Sequence, residues 1–328
     1  MKKIWLLFLL LLFGTDVYAE DAGFWQRIYT QVPEAYVYEI TPEELAIAAL
    51  KSLRRADKSL TVGDDKDRIT LYYQGKVVKV LRKPKDRQDA AAWGRLTEAV
   101  VTAAAENSRR AEKYDFATAD ILVKGMSGIL DKDSKFYGSM DEAEGVPVRN
   151  QRTFAARPEG KSLYIKIGAF NKQTLRELQK SVAEYASAEE LVLDLRGCPG
   201  GMLGEAIKAA GLFLDSGIVA SVRGKPADEE VYYTADPGDI WQGKPITVLV
   251  DEETASAAEV IAAALQEQGR AEIAGSKTKG KGSIQKLIIL PGGSVLAVTS
   301  GFFMTPSGRE LNGNGIAPDK KLPEIYEN

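Results

Sequence analysis

The side chains of Ser256 and Lys281 are suited to acyl-transfer chemistry in a chain that contains no histidine. The lack of histidine excludes a Ser-His-Asp or Cys-His nucleophile, so lysine is the natural remaining base for a serine. Ser256 lies in the segment Thr254–Glu259, at the start of a predicted helix. Unpaired backbone N–H groups and the helix dipole favour an alkoxide and an oxyanion there. A serine that only caps the helix is the alternative.

Lys281 lies in a glycine-rich turn, Thr278–Ser283. A lysine acts as a base only when its amine is neutral, which burial and a lack of nearby carboxylates favour. The segment Ser276–Ile289 contains no Asp or Glu and holds three further lysines. Gln285, four residues further on, offers a neutral group that can orient the amine, which gives the order nucleophile, base and orienting residue. A solvated basic turn is the alternative.

The same turn overlaps a partial nucleotide-binding motif. Gly275–Lys281 satisfies the first seven positions of a phosphate-binding P-loop, but the eighth is Gly282 instead of the Ser or Thr that holds magnesium. A strand-like run follows where a P-loop requires a helix. Nucleotide binding is therefore a weak hypothesis.

A second glycine-rich segment, Asp194–Gly201, follows a predicted buried strand and precedes a predicted helix. Glycines at such a turn let the backbone approach a substrate and offer N–H donors. We expect Gly200 or Gly201, together with the N–H group of Ala257, to form an oxyanion hole. A plain strand-to-helix turn is the alternative.

The hydrophobic pattern predicts an α/β fold. Apolar strand-like runs at Leu163–Ile167, Leu191–Leu195 and Ile246–Val250 alternate with helical segments, which is typical of a parallel or mixed sheet covered by helices. Two further strands are predicted on either side of Pro291-Gly292-Gly293.

The first half of the chain is predicted to be mainly helical. Thr41 opens a helix with a capping box, and Ile69–Leu81 predicts a β-hairpin. Further helices are predicted over 89–109 and 116–130. The predicted organisation is a signal peptide at 1–19, a helical and hairpin domain at 20–145, and a core domain at 146–328.

The leader, the net charge and the single cysteine limit the cellular setting. Two lysines, an apolar run from Ile4 to Phe13, and Val17-Tyr18-Ala19 predict a cleaved secretory signal, with an uncleaved anchor as the alternative. Removal of residues 1–19 changes the formal net charge from −3 to −4, which argues against a nucleic-acid partner. Cys198 has no partner for an internal disulfide and is predicted to be buried.

These segments together resemble the C-terminal processing peptidases, also called tail-specific proteases. The resemblance covers about half of the chain, from Leu163 to Pro318. It depends on motifs that occur in the order found in that family: Asp194–Gly201, Thr254–Glu259, Lys281–Gln285, Thr305–Arg309 and Gly313–Asp319.

The resemblance implies a serine endopeptidase with a Ser-Lys dyad and no metal or cofactor. Ser256 would be the nucleophile, Lys281 the general base and Gln285 its positioning partner. The implied core is an α/β fold related to the crotonase and Clp protease superfold. The expected substrates are periplasmic proteins or peptides cut from or near their C-termini, and a non-catalytic peptide-binding scaffold is the alternative.

One departure from the family concerns substrate recognition. Members of the family usually carry a PDZ domain before the core, but Gly128–Leu163 leaves no room for one. The predicted hairpin or a partner protein would then recognise substrates, and a peptide strand could also add to an exposed sheet edge. The sequence leaves open whether the protein has an activating or adaptor partner and whether it forms a homo-oligomer.

Overall fold

In the computed structural model, the described residues are 22–108, 110, 116–144, 153–225 and 230–322. They form an α/β fold with three sheets, which confirms the predicted class. Across these ranges, no helix is both long and apolar enough to cross a bilayer. The predicted signal peptide and the predicted boundary at 145/146 lie outside the described residues.

The amino-terminal region is mainly helical and contains a small antiparallel sheet in the order β1-β2-β3. The capping box of Thr41 is confirmed, because its hydroxyl accepts from the Glu44 N–H while the Glu44 carboxylate accepts from the Thr41 N–H. The predicted hairpin is also confirmed, but the first helix and strand β1 were not predicted. The elements are α1 (Ala22–Ala35), α2 (Pro42–Lys51), α3 (Leu53–Ala56), β1 (Leu60–Asp64), β2 (Arg68–Tyr73), β3 (Lys76–Arg82), α4 (Ala90–Asn107) and α5 (Phe116–Ser127).

The second part of the chain alternates strands and helices around two five-membered sheets. The first, β11-β10-β7-β6-β5, is parallel except for its edge strand β5. The second is antiparallel and has the path β12-β13-β8-β9, with β4 pairing to β13. The elements are β4 (Lys135–Tyr137), α6 (Met140–Glu144), β5 (Phe154–Glu159), β6 (Ser162–Ile167), α7 (Thr174–Glu184), β7 (Glu190–Asp194), α8 (Leu203–Gly211), β8 (Ile218–Gly224), β9 (Glu230–Thr234), β10 (Ile246–Val250), α9 (Ala257–Glu267), β11 (Glu272–Gly275), β12 (Ser283–Ile289) and β13 (Val295–Met304).

The parallel sheet explains why two of the predicted motifs meet. Strands β7 and β10 are parallel neighbours, with Leu249 opposite Asp194 in the register. Their carboxyl ends therefore lie at the same edge of the sheet, where ligand sites of α/β sheets are usually found. The segments that follow, 195–201 and 251–256, are brought together there.

The hairpin of β12 and β13 joins the two regions. Its side chains Ile288, Leu290, Leu296 and Val298 are buried in the same hydrophobic cluster as the amino-terminal helices. The backbone N–H of Val37 also donates to the carbonyl of Thr299 at 2.8 Å. The amino-terminal core is therefore completed by residues from near the carboxyl end of the chain.

Candidate active site

Ser256 occupies a strained turn between β10 and α9. Its φ of 56° and ψ of −121° lie in a region that residues with a side chain rarely adopt. Strain of this kind persists only where surrounding contacts impose it, and it is concentrated at functional sites. A sharp strand-to-helix turn is also the geometry that exposes the serine nucleophile of α/β-hydrolases. The Ser256 side chain is partly exposed, so it is accessible to a substrate.

The Gly200 backbone packs directly against this turn. Gly200 has a φ of +102°, and a Cβ added to it would lie 2.8 Å from the Ala255 carbonyl oxygen and 2.9 Å from the Ala257 nitrogen. Gly201, with a φ of +132°, instead packs on Phe170, whose carbonyl oxygen would lie 2.2 Å from an added Cβ. Only glycine fits at these two positions, because a side chain would collide with backbone atoms.

The two turns present backbone donors that the protein does not use. Within the described ranges, the N–H groups of Gly200, Gly201 and Ala257 make no hydrogen bond to another protein atom. The Gly200 backbone lies beside Ala257, so two of the three predicted oxyanion-hole residues are neighbours in space. The role itself stays a prediction.

Asp251 and Thr254 tie the glycine loop to the serine turn. One oxygen of the Asp251 carboxylate accepts from the Gly197 N–H and the Thr254 N–H, both at 2.9 Å. The Thr254 hydroxyl donates to the Leu195 carbonyl at 3.0 Å, and the Ala255 N–H donates to the Cys198 carbonyl at 2.9 Å. These bonds fix the position of the Gly200 loop relative to Ser256.

Glu259 connects the Ser256 turn to the Lys281 turn. Its side chain is fully buried, and Oε2 accepts from the backbone N–H groups of Ser256 at 2.8 Å and Lys281 at 2.9 Å. Oε1 accepts from the Gly280 N–H at 2.7 Å and from the Thr278 hydroxyl at 2.5 Å. A single carboxylate thus holds the two segments that the sequence identified as nucleophile and base.

The structure brings the backbones of Ser256 and Lys281 together, but not their reacting atoms. No hydrogen bond between the Ser256 hydroxyl and the Lys281 amine is present in the described part of the chain. Lys281 is exposed, so the expected shielding of its side chain from solvent is not met. The reason is that the contacts that anchor the turn to Glu259 are made by the backbone N–H groups of Gly280 and Lys281 and not by the Lys281 side chain. Gln285 donates its amide N–H to the Ser283 hydroxyl at 3.1 Å rather than contacting Lys281.

The absence of carboxylates around Lys281 was inferred from the local sequence, and tertiary structure overrides it. Glu259 comes from helix α9 and reaches the backbone of this turn. The same contact argues against nucleotide binding, because the N–H groups of Gly280 and Lys281 already bind a carboxylate. The residues that follow form strand β12, where a P-loop requires a helix.

A cluster of charged and polar side chains around the buried Asp194 holds the start of the glycine loop in place. Asp194 is 1% exposed and accepts hydrogen bonds from the hydroxyl of Tyr164, the amine of Lys166 at 3.1 Å and the guanidinium of Arg196. The Lys166 amine also donates to the Arg196 carbonyl at 2.5 Å. This network fixes the chain at 194–196, immediately before the glycines.

The same network shifts the pKa values of its members. Burial acts to raise the pKa of Asp194, but the hydrogen bonds from Arg196 and Tyr164 and the charge of Lys166 outweigh it, so the net pKa lies below its ordinary value. Burial and the hydrogen bond to Asp194 raise the pKa of Tyr164 to about 12. Asp194 is therefore held as an anion and Tyr164 as a neutral phenol near pH 7.

Residues 161–322 match peptidase family S41. This part of the chain belongs to peptidase family S41. It is 38% identical over 181 residues to a carboxy-terminal-processing protease of Bartonella bacilliformis, covering 52% of this chain and 42% of that protein. It is 39% identical over 163 residues to a carboxyl-terminal-processing protease of a Picosynechococcus species, covering 49% of this chain and 39% of that protein. The matched region thus spans less than half of each relative.

A solved structure shares the fold over most of the chain. A lipoprotein from Streptococcus agalactiae aligns with a TM-score of 0.52 and 16% identity, over 87% of this chain and 94% of that one. At this identity the likeness shows the fold alone. The resemblance to C-terminal processing peptidases and the assignment to a family of serine-type peptidases are confirmed.

Glu259 belongs to one of the motifs found in the sequence, but its role was not predicted. The spacing Ser256-x-x-Glu259 is that of a capping box, and this signal identifies the contact between the carboxylate and the Ser256 N–H. The bonds to Gly280 and Lys281 depend on tertiary structure. The contacts of Lys166 and Tyr164 with Asp194 were also not predicted, because a strand sequence does not indicate which buried charge its side chains will contact.

Proposed function

We propose that this S41 chain is a serine endopeptidase in which Ser256 is the nucleophile and Lys281 the general base. The observation that carries the proposal is the junction at Glu259, which holds the strained Ser256 turn and the Lys281 turn on one buried carboxylate. Glu259 thereby brings two turns that are far apart in the sequence together at a serine that is accessible to substrate.

In the proposed reaction, the neutral Lys281 amine takes the proton of the Ser256 hydroxyl as its oxygen attacks the peptide carbonyl carbon. The N–H groups of Gly200 and Ala257 bind the oxyanion that develops, with Gly201 as the further predicted donor. The carbon–nitrogen bond then breaks, and Lys281 gives the proton to the leaving amine. A water molecule, deprotonated by Lys281, hydrolyses the acyl-enzyme and restores the serine.

The exposed position of Lys281 makes substrate binding part of this proposal. A polypeptide that lies across the turn removes water from the amine, which favours its neutral form. Gln285 retains the role of positioning partner, since its amide oxygen can accept from the amine while its N–H group binds Ser283.

The proposed substrates are proteins cut from or near their C-termini, in keeping with the names of the relatives. The predicted secretory signal at 1–19 supports a periplasmic location and periplasmic substrates. Between Ser127 and Phe154, the described residues contain only the short elements β4 and α6. We therefore propose that no PDZ domain precedes the core and that another surface recognises the substrate.

Site-directed variants and a serine-reactive probe test the dyad. We expect Ser256→Ala and Lys281→Ala to abolish peptide hydrolysis and labelling by a fluorophosphonate, with unchanged folding by circular dichroism. Lys279→Ala is the matched control, because Lys279 is an exposed lysine of the same turn whose ammonium pairs only loosely with Glu253 at 3.5 Å. Hydrolysis by Lys281→Ala at the wild-type rate would remove Lys281 from the mechanism.

A non-catalytic peptide-binding scaffold is the second candidate, and the exposed position of the Lys281 side chain is the observation that favours it. The same probe separates the two functions. A scaffold would bind unfolded polypeptides without Ser256-dependent labelling, whereas the peptidase would be labelled in the wild type and not in Ser256→Ala.

A further inference from the structure

A groove lies on the amino-terminal region of the fold, and we call it the Tyr38 groove. It is lined by apolar and aromatic side chains and by three carboxylates and one lysine: Tyr36, Tyr38, Ile40, Ile47, Ala48, Ile129, Glu39, Glu44, Asp64 and Lys51. Tyr38 is 51% exposed and Ile129 46%, although both are large and apolar. Clustered exposed apolar side chains of this kind mark interaction sites in soluble proteins. The concave shape also suits a bound chain better than a flat surface does.

The Tyr38 side of the groove lies near the strand pair that follows the Lys281 turn. The Tyr38 ring lies 6.1 Å from the ring of Phe302 on strand β13. Phe302 is opposite Ser283 in the β12–β13 register, and Ser283 is two residues after Lys281. A polypeptide that occupies the groove can therefore continue along this strand pair to the Lys281 turn.

The surroundings of the Tyr38 ring are negatively charged. Burial, followed by the charges of Asp131, Glu310 and Asp133, raises the pKa of Tyr38. Within the described ranges, none of these three carboxylates lies within ion-pair distance of a Lys or Arg. Glu39 at the rim is 87% exposed and pairs with Lys225 at 3.0 Å. The local field therefore favours a cation at the ring.

We propose that the Tyr38 groove binds a stretch of the polypeptide substrate in which a Lys or Arg side chain is flanked by apolar residues. The cation would lie over the Tyr38 ring within the negative field, and the apolar neighbours would contact Ile47 and Ile129. The proposal rests on the proposed peptidase function and names the substrate segment that the site prefers. Contacts remote from the cleaved bond bind substrate and product segments alike, so they act on KM more than on kcat.

The test compares two reporter peptides that share one cleavage sequence. The long reporter carries the basic and apolar segment, whereas the short reporter holds only the residues around the cleaved bond. We expect Tyr38→Ala to raise the KM of the long reporter about tenfold at unchanged kcat, with no effect on the short reporter. Tyr232→Ala is the matched control, because Tyr232 is a similarly exposed tyrosine (58%) on the far edge strand β9.

A change in the reporter tests the same contact without altering the protein. Replacement of its Lys and Arg residues by Gln should also raise KM about tenfold in the wild type, and should add nothing in Tyr38→Ala. Equal effects of Tyr38→Ala on both reporters, or equal effects of Tyr38→Ala and Tyr232→Ala, would overturn the proposal.

A binding measurement separates this proposal from the peptidase function. The fluorescent long reporter is titrated with Ser256→Ala and with Ser256→Ala/Tyr38→Ala, and its anisotropy gives Kd without any cleavage. A tenfold weaker Kd in the double variant supports docking, even if the wild type cleaves nothing and the proposed function fails. Equal Kd values would refute docking, even in an active peptidase.

Discussion

Replacement of Glu259 by Gln tests whether one carboxylate sets the relative position of nucleophile and base. Glutamine has the same shape, but it has one acceptor oxygen and one NH₂ group. Each oxygen of Glu259 accepts from two donors, so the NH₂ group meets either the Ser256 and Lys281 N–H groups or the Gly280 N–H and the Thr278 hydroxyl. The hydroxyl can rotate to accept from NH₂, whereas the backbone N–H groups cannot, so the substitution breaks one or two hydrogen bonds without creating a cavity.

The expected loss follows from the charge and burial of the group. A hydrogen bond to a charged group contributes about 1.5–3 kcal/mol, so the loss of one or two bonds lowers the free energy of unfolding by about 1.5–6 kcal/mol before relaxation. The freed N–H groups repel the amide and shift the Ser256 or Lys281 turn. A displacement of about 1 Å in a catalytic arrangement lowers the rate about a hundredfold.

The assay measures kcat and KM for a peptide substrate together with a urea unfolding curve. We expect Glu259→Gln to lower kcat about a hundredfold at nearly unchanged KM, and to lower the free energy of unfolding. Glu253→Gln is the control, because Glu253 is exposed and makes only the loose pair with Lys279 at 3.5 Å. This control should leave both quantities unchanged.

Two results would refute the reasoning. If Glu259→Gln unfolds at the wild-type urea concentration, the hydrogen bonds that the carboxylate accepts contribute nothing to stability. If it is less stable but the folded fraction keeps the wild-type kcat, Glu259 stabilises the fold without positioning the reacting groups.

Three further predictions concern the loop and its supports. Gly200→Ala should lower stability by roughly 1–3 kcal/mol and reduce kcat, because the added Cβ meets backbone atoms at 2.8–2.9 Å. Gly204→Ala, with nothing within 4 Å, should leave urea unfolding and kcat unchanged or the protein slightly more stable. Because the folded pKa of Asp194 is depressed, its contribution to stability is present above the ordinary aspartate pKa of about 4 and is lost as the pH falls through the folded value. Urea midpoints measured from pH 6 down to about pH 3 should therefore fall less in Asp194→Asn than in the wild type. Burial raises the pKa of the Cys198 thiol to about 11, so iodoacetamide at about pH 8 should modify the unfolded chain quickly and the native protein hardly at all.

The sequence predicted those parts of the fold that local chemistry determines. The capping box at Thr41, the hairpin turn at Pro291-Gly292-Gly293 and the alternation of strands and helices each depend on neighbouring residues. The two glycines of the loop were also identified locally, and the structure shows that Gly200, not Gly201, lies against the Ser256 turn.

The sequence did not predict the surroundings of a side chain where residues far away in the chain determine them. The exposure of Lys281 depends on which parts of the fold pack near its turn. The carboxylate that contacts this turn belongs to Glu259, which lies on a helix more than twenty positions upstream. Strand β9 was not predicted, because its residues are largely exposed and its sequence lacks the apolar face on which strand prediction depends.

The placement of hairpin side chains in the amino-terminal core has a consequence for biosynthesis. Helices α1, α2 and α4 pack against one another, but their hydrophobic cluster also contains Ile288, Leu290, Leu296 and Val298, so it stays incomplete until residues 288–298 have been made. Contacts between such distant positions slow folding and expose incomplete intermediates to aggregation. We therefore expect this protein to acquire its native structure only after translation is complete, and a nascent chain that stops before position 283 to require a chaperone to stay in solution.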